Sequence, residues 1–156
     1  MKHAWLFLVT LCAGSAFAQP APRTYVEAGE FISTDADIEA WYTMLANLDR
    51  NFDDICGDTF CEGDWSNIHP LRMRCSVEST SGEIGRCLWI FAASNEELDP
   101  ATGRFRVDTK AWRCRAPLAP HTTLRELLDA LAGDEPLRAA LPRSDRTIYD
   151  GLTDCL

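Results

Sequence analysis

The chain has 156 residues, with 24 Asp and Glu against 15 Lys and Arg, a formal charge of −9. That sign works against nucleic-acid binding, which needs basic residues to displace the counterions of a phosphate backbone. The length suits one ordinary apolar core, so one domain is expected and the cysteines reinforce that core rather than replace it.

Residues 1–18 have the pattern of a cleavable export signal: Lys2, an apolar run over residues 4–13, and Ala16-Phe17-Ala18 ahead of Gln19. The run is too short for a membrane span, and no later stretch approaches ~20 apolar residues, so no membrane insertion is expected. A lipid-attachment motif centred on Cys12 is disfavoured by Leu11, which stands where a small residue is required. Cleavage leaves fourteen basic residues and the even set Cys56, Cys61, Cys75, Cys87, Cys114 and Cys155. Behind an export signal this reads as three disulfides, since thiolate metal ligation needs a reducing compartment. The expected address is periplasmic or secreted.

Charge is distributed unevenly. Residues 19–64 carry eleven acids against Arg23 and Arg50, whereas residues 65–118 carry eight basic residues and six acids. An acidic first third therefore meets a mildly basic middle.

In chain order, residues 19–32 form an extended lead-in with a short edge strand near residues 24–26, and residues 33–156 form the single domain. Ser33 or Thr34 caps a helix whose first turn holds Asp35, Asp37 and Glu39. Ile38, Trp41, Tyr42, Leu45, Leu48, Phe52 and Ile55 recur at helical spacing over about six turns. Cys56 lies at the edge of that stripe, and Gly57 suits the left-handed position that ends a helix. Asp53 and Asp54 oppose the helix dipole there, unless Arg50 pairs with Asp54.

Residues 71–78 alternate as a strand, with Leu71, Met73, Cys75 and Val77 on one face. After the turn at residues 79–82, residues 86–93 return, setting Cys75 opposite Cys87, Met73 opposite Trp89 and Leu71 opposite Phe91. Cross-strand cysteines in that relation can bridge. Asp99-Pro-Ala-Thr-Gly103 makes a second hairpin turn into residues 104–115. There the apolar parity switches from Phe105 and Val107 to Trp112 and Cys114, which predicts a bulge or break near residues 108–110. Thr123-Leu-Arg-Glu126 is a capping box opening a helix that Gly133 stops. A short helix is expected over residues 136–141, and Ser144 caps a last one bearing Ile148, Leu152 and Cys155. The preferred remaining bridges are Cys56 with Cys61 and Cys114 with Cys155.

The fold expected is thus α+β: a long N-terminal helix, a three-stranded antiparallel meander, two or three C-terminal helices and three disulfides. The C-terminal helices are expected to cover one sheet face and the long helix the other.

For function, the stretch from Cys56 to Trp65 carries two cysteines, two glycines, three carboxylates and two aromatics. Serine-hydrolase chemistry lacks its G-x-S-x-G motif, and His69 and His121 each adjoin a proline, which points to loops. Six paired cysteines leave no nucleophile, and neither an H-E-x-x-H helix nor an EF-hand register is present. Asp53, Asp54, Asp58, Glu62 and Asp64 could serve as an acid and base pair or hold Ca2+ in an irregular oxygen site. The favoured reading is recognition: Asp58, Glu62 and Asp64 steer a basic partner, and Phe60 and Trp65 anchor it. The expected function is that of a non-enzymatic inhibitor or immunity-type protein acting on a basic partner such as a cell-wall-degrading enzyme, with no cofactor. A small carboxylate-dependent hydrolase or a Ca2+-binding module is the alternative. The arginines beside Leu88 and Ile90 form a second surface suited to an anionic partner, provided no helix covers them.

Overall fold

The computed structural model describes residues 22–156, so the export signal expected at residues 1–18 lies outside the described part. Its elements are β1 (Tyr25–Glu27), α1 (Ala28–Phe31), α2 (Asp35–Thr59), a 3-10 turn (Gly63–Trp65), β2 (His69–Glu78), β3 (Ile84–Asp99), β4 (Arg104–Arg115), α3 (Leu124–Ala130) and α4 (Ile148–Thr153). The class is α+β, and the sheet has four antiparallel strands in the order β1-β2-β3-β4 rather than three. The added strand is the short edge expected near residues 24–26, found at Tyr25–Glu27 and paired into the sheet with Val26 opposite Val77.

Thr34 caps α2 by accepting from the Asp37 N–H at 3.1 Å, and Asp35 and Asp37 complement the positive end of the helix dipole. The buried face is rotated from the expected one: Met44, Asn47 and Asn51 are buried, whereas Tyr42 is 62% exposed and Ile38 37%. The cause is polar. Asn47 Nδ2 donates to the Gly133 carbonyl at 3.1 Å; Asn51 donates to the Asp134 carbonyl at 3.1 Å and accepts from the Leu137 N–H at 3.4 Å. Two amides one turn apart thus hold the segment after α3 against the helix, each bond worth about 1 kcal/mol net and more if its buried partner is orphaned. Nor does α2 stop at Gly57: it runs to Thr59, and the C-cap Phe60 N–H bonds back to the Cys56 carbonyl.

The β2–β3 register places Cys75 opposite Cys87 and Met73 opposite Trp89, as expected, but Phe91 faces Pro70. A register shift between Pro70 and Arg72 pushes Leu71 out, where it is 59% exposed. His69 belongs to β2 rather than to a loop, while His121 sits in a turn with φ 62°. Between β3 and β4 the pairing runs unbroken from Leu88 opposite Arg115 to Asp99 opposite Arg104, so the bulge or break expected near residues 108–110 is absent. The parity change has another cause. Trp112 and Cys114 face the core, while Phe105 and Val107 sit on the opposite face of a hairpin that runs past the helices and buries neither side. Its tip is closed by Asp99, which accepts from the Ala101 N–H at 2.8 Å and the Thr102 hydroxyl at 2.6 Å, and by Gly103 at φ +69°.

Thr123 and Glu126 form the expected capping box of α3. The last helix is capped by a second box, Thr147 with Asp150, rather than by Ser144, and residues 136–141 make turns instead of a helix. Gly151 lets α4 press on the end of β4, since a Cβ there would lie 2.8 Å from the Arg115 carbonyl oxygen.

All three longer helices share one layer. Phe52 of α2 packs on Trp89 and Phe91, with ring centroids 5.9 and 4.8 Å away, and Ile148 and Leu152 of α4 join Leu124, Leu127 and Leu128 of α3 in the same cluster. The expectation of helices on both faces is therefore overturned, because the asparagine pair ties the C-terminal segment beside α2. Disulfides join Cys56 to Cys61, Cys75 to Cys87 and Cys114 to Cys155. Three disulfides belong to an oxidising, extracytoplasmic setting. No described helix is long and apolar enough to cross a membrane.

Turn and cap chemistry sets the acid limit of this fold. Hydrogen bonds from Ser81 and Thr80 hold the Glu78 carboxyl below the ordinary range; those from Thr102 and Ala101 do so for Asp99, and those from the caps Thr123 and Thr147 for Glu126 and Asp150. Asp49 shifts the other way, raised by burial first and then by neighbouring Asp53. A depressed carboxyl binds its proton more weakly folded than unfolded, so its stabilisation is present above the unfolded pKa, about 4.3 for Glu and 3.9 for Asp, and is lost as pH falls through the folded value. Four carboxyls shift down against one, Asp49, that shifts up. The melting midpoint followed by circular dichroism should hold from neutrality to about pH 5 and fall below about pH 4. Glu126→Gln should flatten part of that fall, and an unchanged profile would remove the cap as its source.

Candidate functional site

The stretch between α2 and β2 is a covalent elbow. The Cys61 N–H bonds to the Cys56 carbonyl at 2.7 Å, the Cys56–Cys61 bridge closes the same ring, and Gly63 at φ +63° turns the chain into the 3-10 turn. Phe60 is half-buried, stacked on Phe52 at 6.0 Å and tilted against Tyr149 at 5.8 Å. Trp65 meets Trp112 edge-on at 6.0 Å, and the Lys110 ammonium lies 4.6 Å from the centre of the Trp112 ring. Both aromatics expected to anchor a partner pack against the core and stay partly exposed.

Asp58, Glu62 and Asp64 are exposed, as are Asp53 and Asp54 on the preceding turns. Among the described residues none of the five makes an ion pair. Arg50 reaches the Asp134 carbonyl at 3.5 Å rather than Asp54, Arg74 pairs with Glu27, and Arg106 pairs with Glu97 and Asp108. One turn back, the Asp49 carboxyl is raised first by burial and then by the neighbouring Asp53 charge, with His69 easing it. Among the described residues no three His, Cys, Asp or Glu side chains converge to hold a metal ion.

The second face of the sheet is the other exposed surface. Read across the strands, Arg74, Leu88 and Arg115 form one row and Arg72, Ile90 and Arg113 the next, with His69, Ala92 and Ala111 beyond. Cross-strand partners share a face, so these side chains stand together on the side away from the helices. Leu88 and Ile90 are half-buried by their neighbours, and the four arginines are exposed. This arrangement was partly legible in the alternation; that no described helix covers it was not.

Comparison with protein-family models, with curated proteins and with solved structures found no match.

Proposed function

We propose that this chain is an exported, periplasmic or secreted binding protein of inhibitor or immunity type that receives a basic protein, such as a cell-wall-degrading enzyme, on its acidic elbow. The observation that carries this reading is a run of exposed carboxylates, Asp53, Asp54, Asp58, Glu62 and Asp64, left without cations of their own on a backbone fixed by the Cys56–Cys61 bridge. Unpaired charge on a rigid support repels itself in the free protein and is relieved by an oppositely charged partner, which raises the association rate. The packed aromatics change the mode of recognition: electrostatic steering and rim contacts dominate, and the anchor side chains come from the partner.

Inhibition of basic muramidases, with binding by calorimetry at low and physiological salt, tests this. Binding that weakens with salt and falls at least about tenfold in the Asp58→Ala/Glu62→Ala/Asp64→Ala variant is expected. Equal capture of the same partner by that variant would remove the elbow as the site. Turnover of peptidoglycan by the purified chain would replace the reading with the hydrolase.

A further inference from the structure

We infer that the open face of the sheet is a second docking surface, distinct from the acidic elbow, and that its occupant is an acidic protein segment carrying an aliphatic side chain between two carboxylates. Arg72, Arg74, Arg113 and Arg115 stand at the corners of a frame around Leu88 and Ile90. Strand geometry sets that frame at about 7 Å along the strands and about 10 Å across them.

Arg74 is committed to Glu27, its Nε 2.9 Å from Glu27 Oε1. Arg72, Arg113 and Arg115 make no ion pair among the described residues, and no acid occupies the two rows between them. Arginine stems do lie over apolar sheet faces routinely, and they account for the half-burial of Leu88 and Ile90. They do not account for the sign. A chain with 24 acids has placed four arginines on one face and balanced only Arg74 there, through Glu27. Locally unfavourable choices of this kind collect at functional sites.

Charge also selects the occupant. A second copy docked face to face about a two-fold axis would set arginine rows against arginine rows, so a symmetric dimer through this face is opposed by its own field. A segment alternating acidic and aliphatic residues answers both features, because planar guanidinium groups grip carboxylates through paired N–H donors while the aliphatic side chain meets Leu88 and Ile90. Beyond the frame, Ala92 and Ala111 leave a shallow floor between Leu71 and the protruding hairpin that ends in Phe105.

The test uses the oxidised chain and fluorescein-labelled peptides alternating Glu and Leu, with Lys-Leu and all-Glu peptides of equal length, read by fluorescence anisotropy. The Glu-Leu peptide should bind at least tenfold more tightly than either control. Arg72→Glu/Arg113→Glu should abolish that binding, Arg113→Gln/Arg115→Gln should weaken it, and the Asp58→Ala/Glu62→Ala/Asp64→Ala variant should bind like the parent. Both arginine variants change exposed, unpaired side chains, so an unaltered melting midpoint shows that the fold is intact. Binding indifferent to the arginine variants, or equal for all-Glu and Glu-Leu peptides, overturns the proposal. So does arginine-dependent binding to anionic phospholipid vesicles without binding of the Glu-Leu peptide, which would make the surface a lipid site. Loss of muramidase binding in the elbow variant would leave this result untouched, so the two surfaces succeed or fail separately.

Discussion

A Cys114→Ala/Cys155→Ala variant should lose about 4 kcal/mol of unfolding free energy, corresponding to a fall of about 10–15 °C in melting midpoint for a domain of this size. The bridge joins the end of β4 to the C-terminal residues across a sequence separation of 41, against 12 for Cys75–Cys87 and 5 for Cys56–Cys61. The entropy removed from the unfolded chain grows with the logarithm of the closed loop, which gives about 4 kcal/mol for the longest and about 2 for the shortest. Beyond entropy, this bridge holds α4 where Gly151 presses on the Arg115 carbonyl, and Ile148 and Leu152 complete the core. Urea unfolding of the three double-alanine variants under oxidising conditions would rank the bridges. If removal of Cys56–Cys61 costs as much as removal of Cys114–Cys155, loop length is not what sets their contributions.

Phe52→Ala should cost about 3–5 kcal/mol, the range for removing a buried aromatic and leaving a cavity. Phe52 is 0% exposed and its ring packs on the sheet aromatics Trp89 and Phe91 as well as on the elbow aromatic Phe60. Its removal therefore reaches the elbow as well as the core. Affinity for a basic partner should fall through faster dissociation, as a loosened elbow must be ordered on binding. The salt dependence of association should stay, since every carboxylate remains. A variant that retains parental stability would show that Phe52 is not the joint between core and elbow, and a lost salt dependence would show that it acts on the charges instead.

Both predictions rest on features of unequal legibility. Of the disulfide pairings only Cys75 with Cys87 was readable, because centring the hairpin on Ser81 sets the two opposite each other at a period of two; the other two were preferences among several connectivities. The capping box at Thr123 and Glu126 was readable for the same local reason. Asn47 and Asn51 were not, since an asparagine on a helix is ordinarily solvated and only the backbone of a distant segment makes its burial favourable. Leu71 was placed inward by alternation and sits outward because one bulge reverses parity locally. The elbow shows the same division. Its carboxylates and covalent closure were legible, whereas the inward orientation of Phe60 and Trp65 depended on Tyr149 and Trp112, far along the chain.

By itself, then, the sequence determined what short-range chemistry controls: the long helix and its cap, the hairpin turns, the α+β class and the unequal charge of the two halves. Tertiary structure alone decided which face of each element is covered. Apolar burial is non-directional, and a strand with two apolar faces specifies neither its cover nor its exposed side. The asparagine pair on α2 drew the C-terminal helices to the side already occupied by Phe52, and the opposite face was left with its arginines.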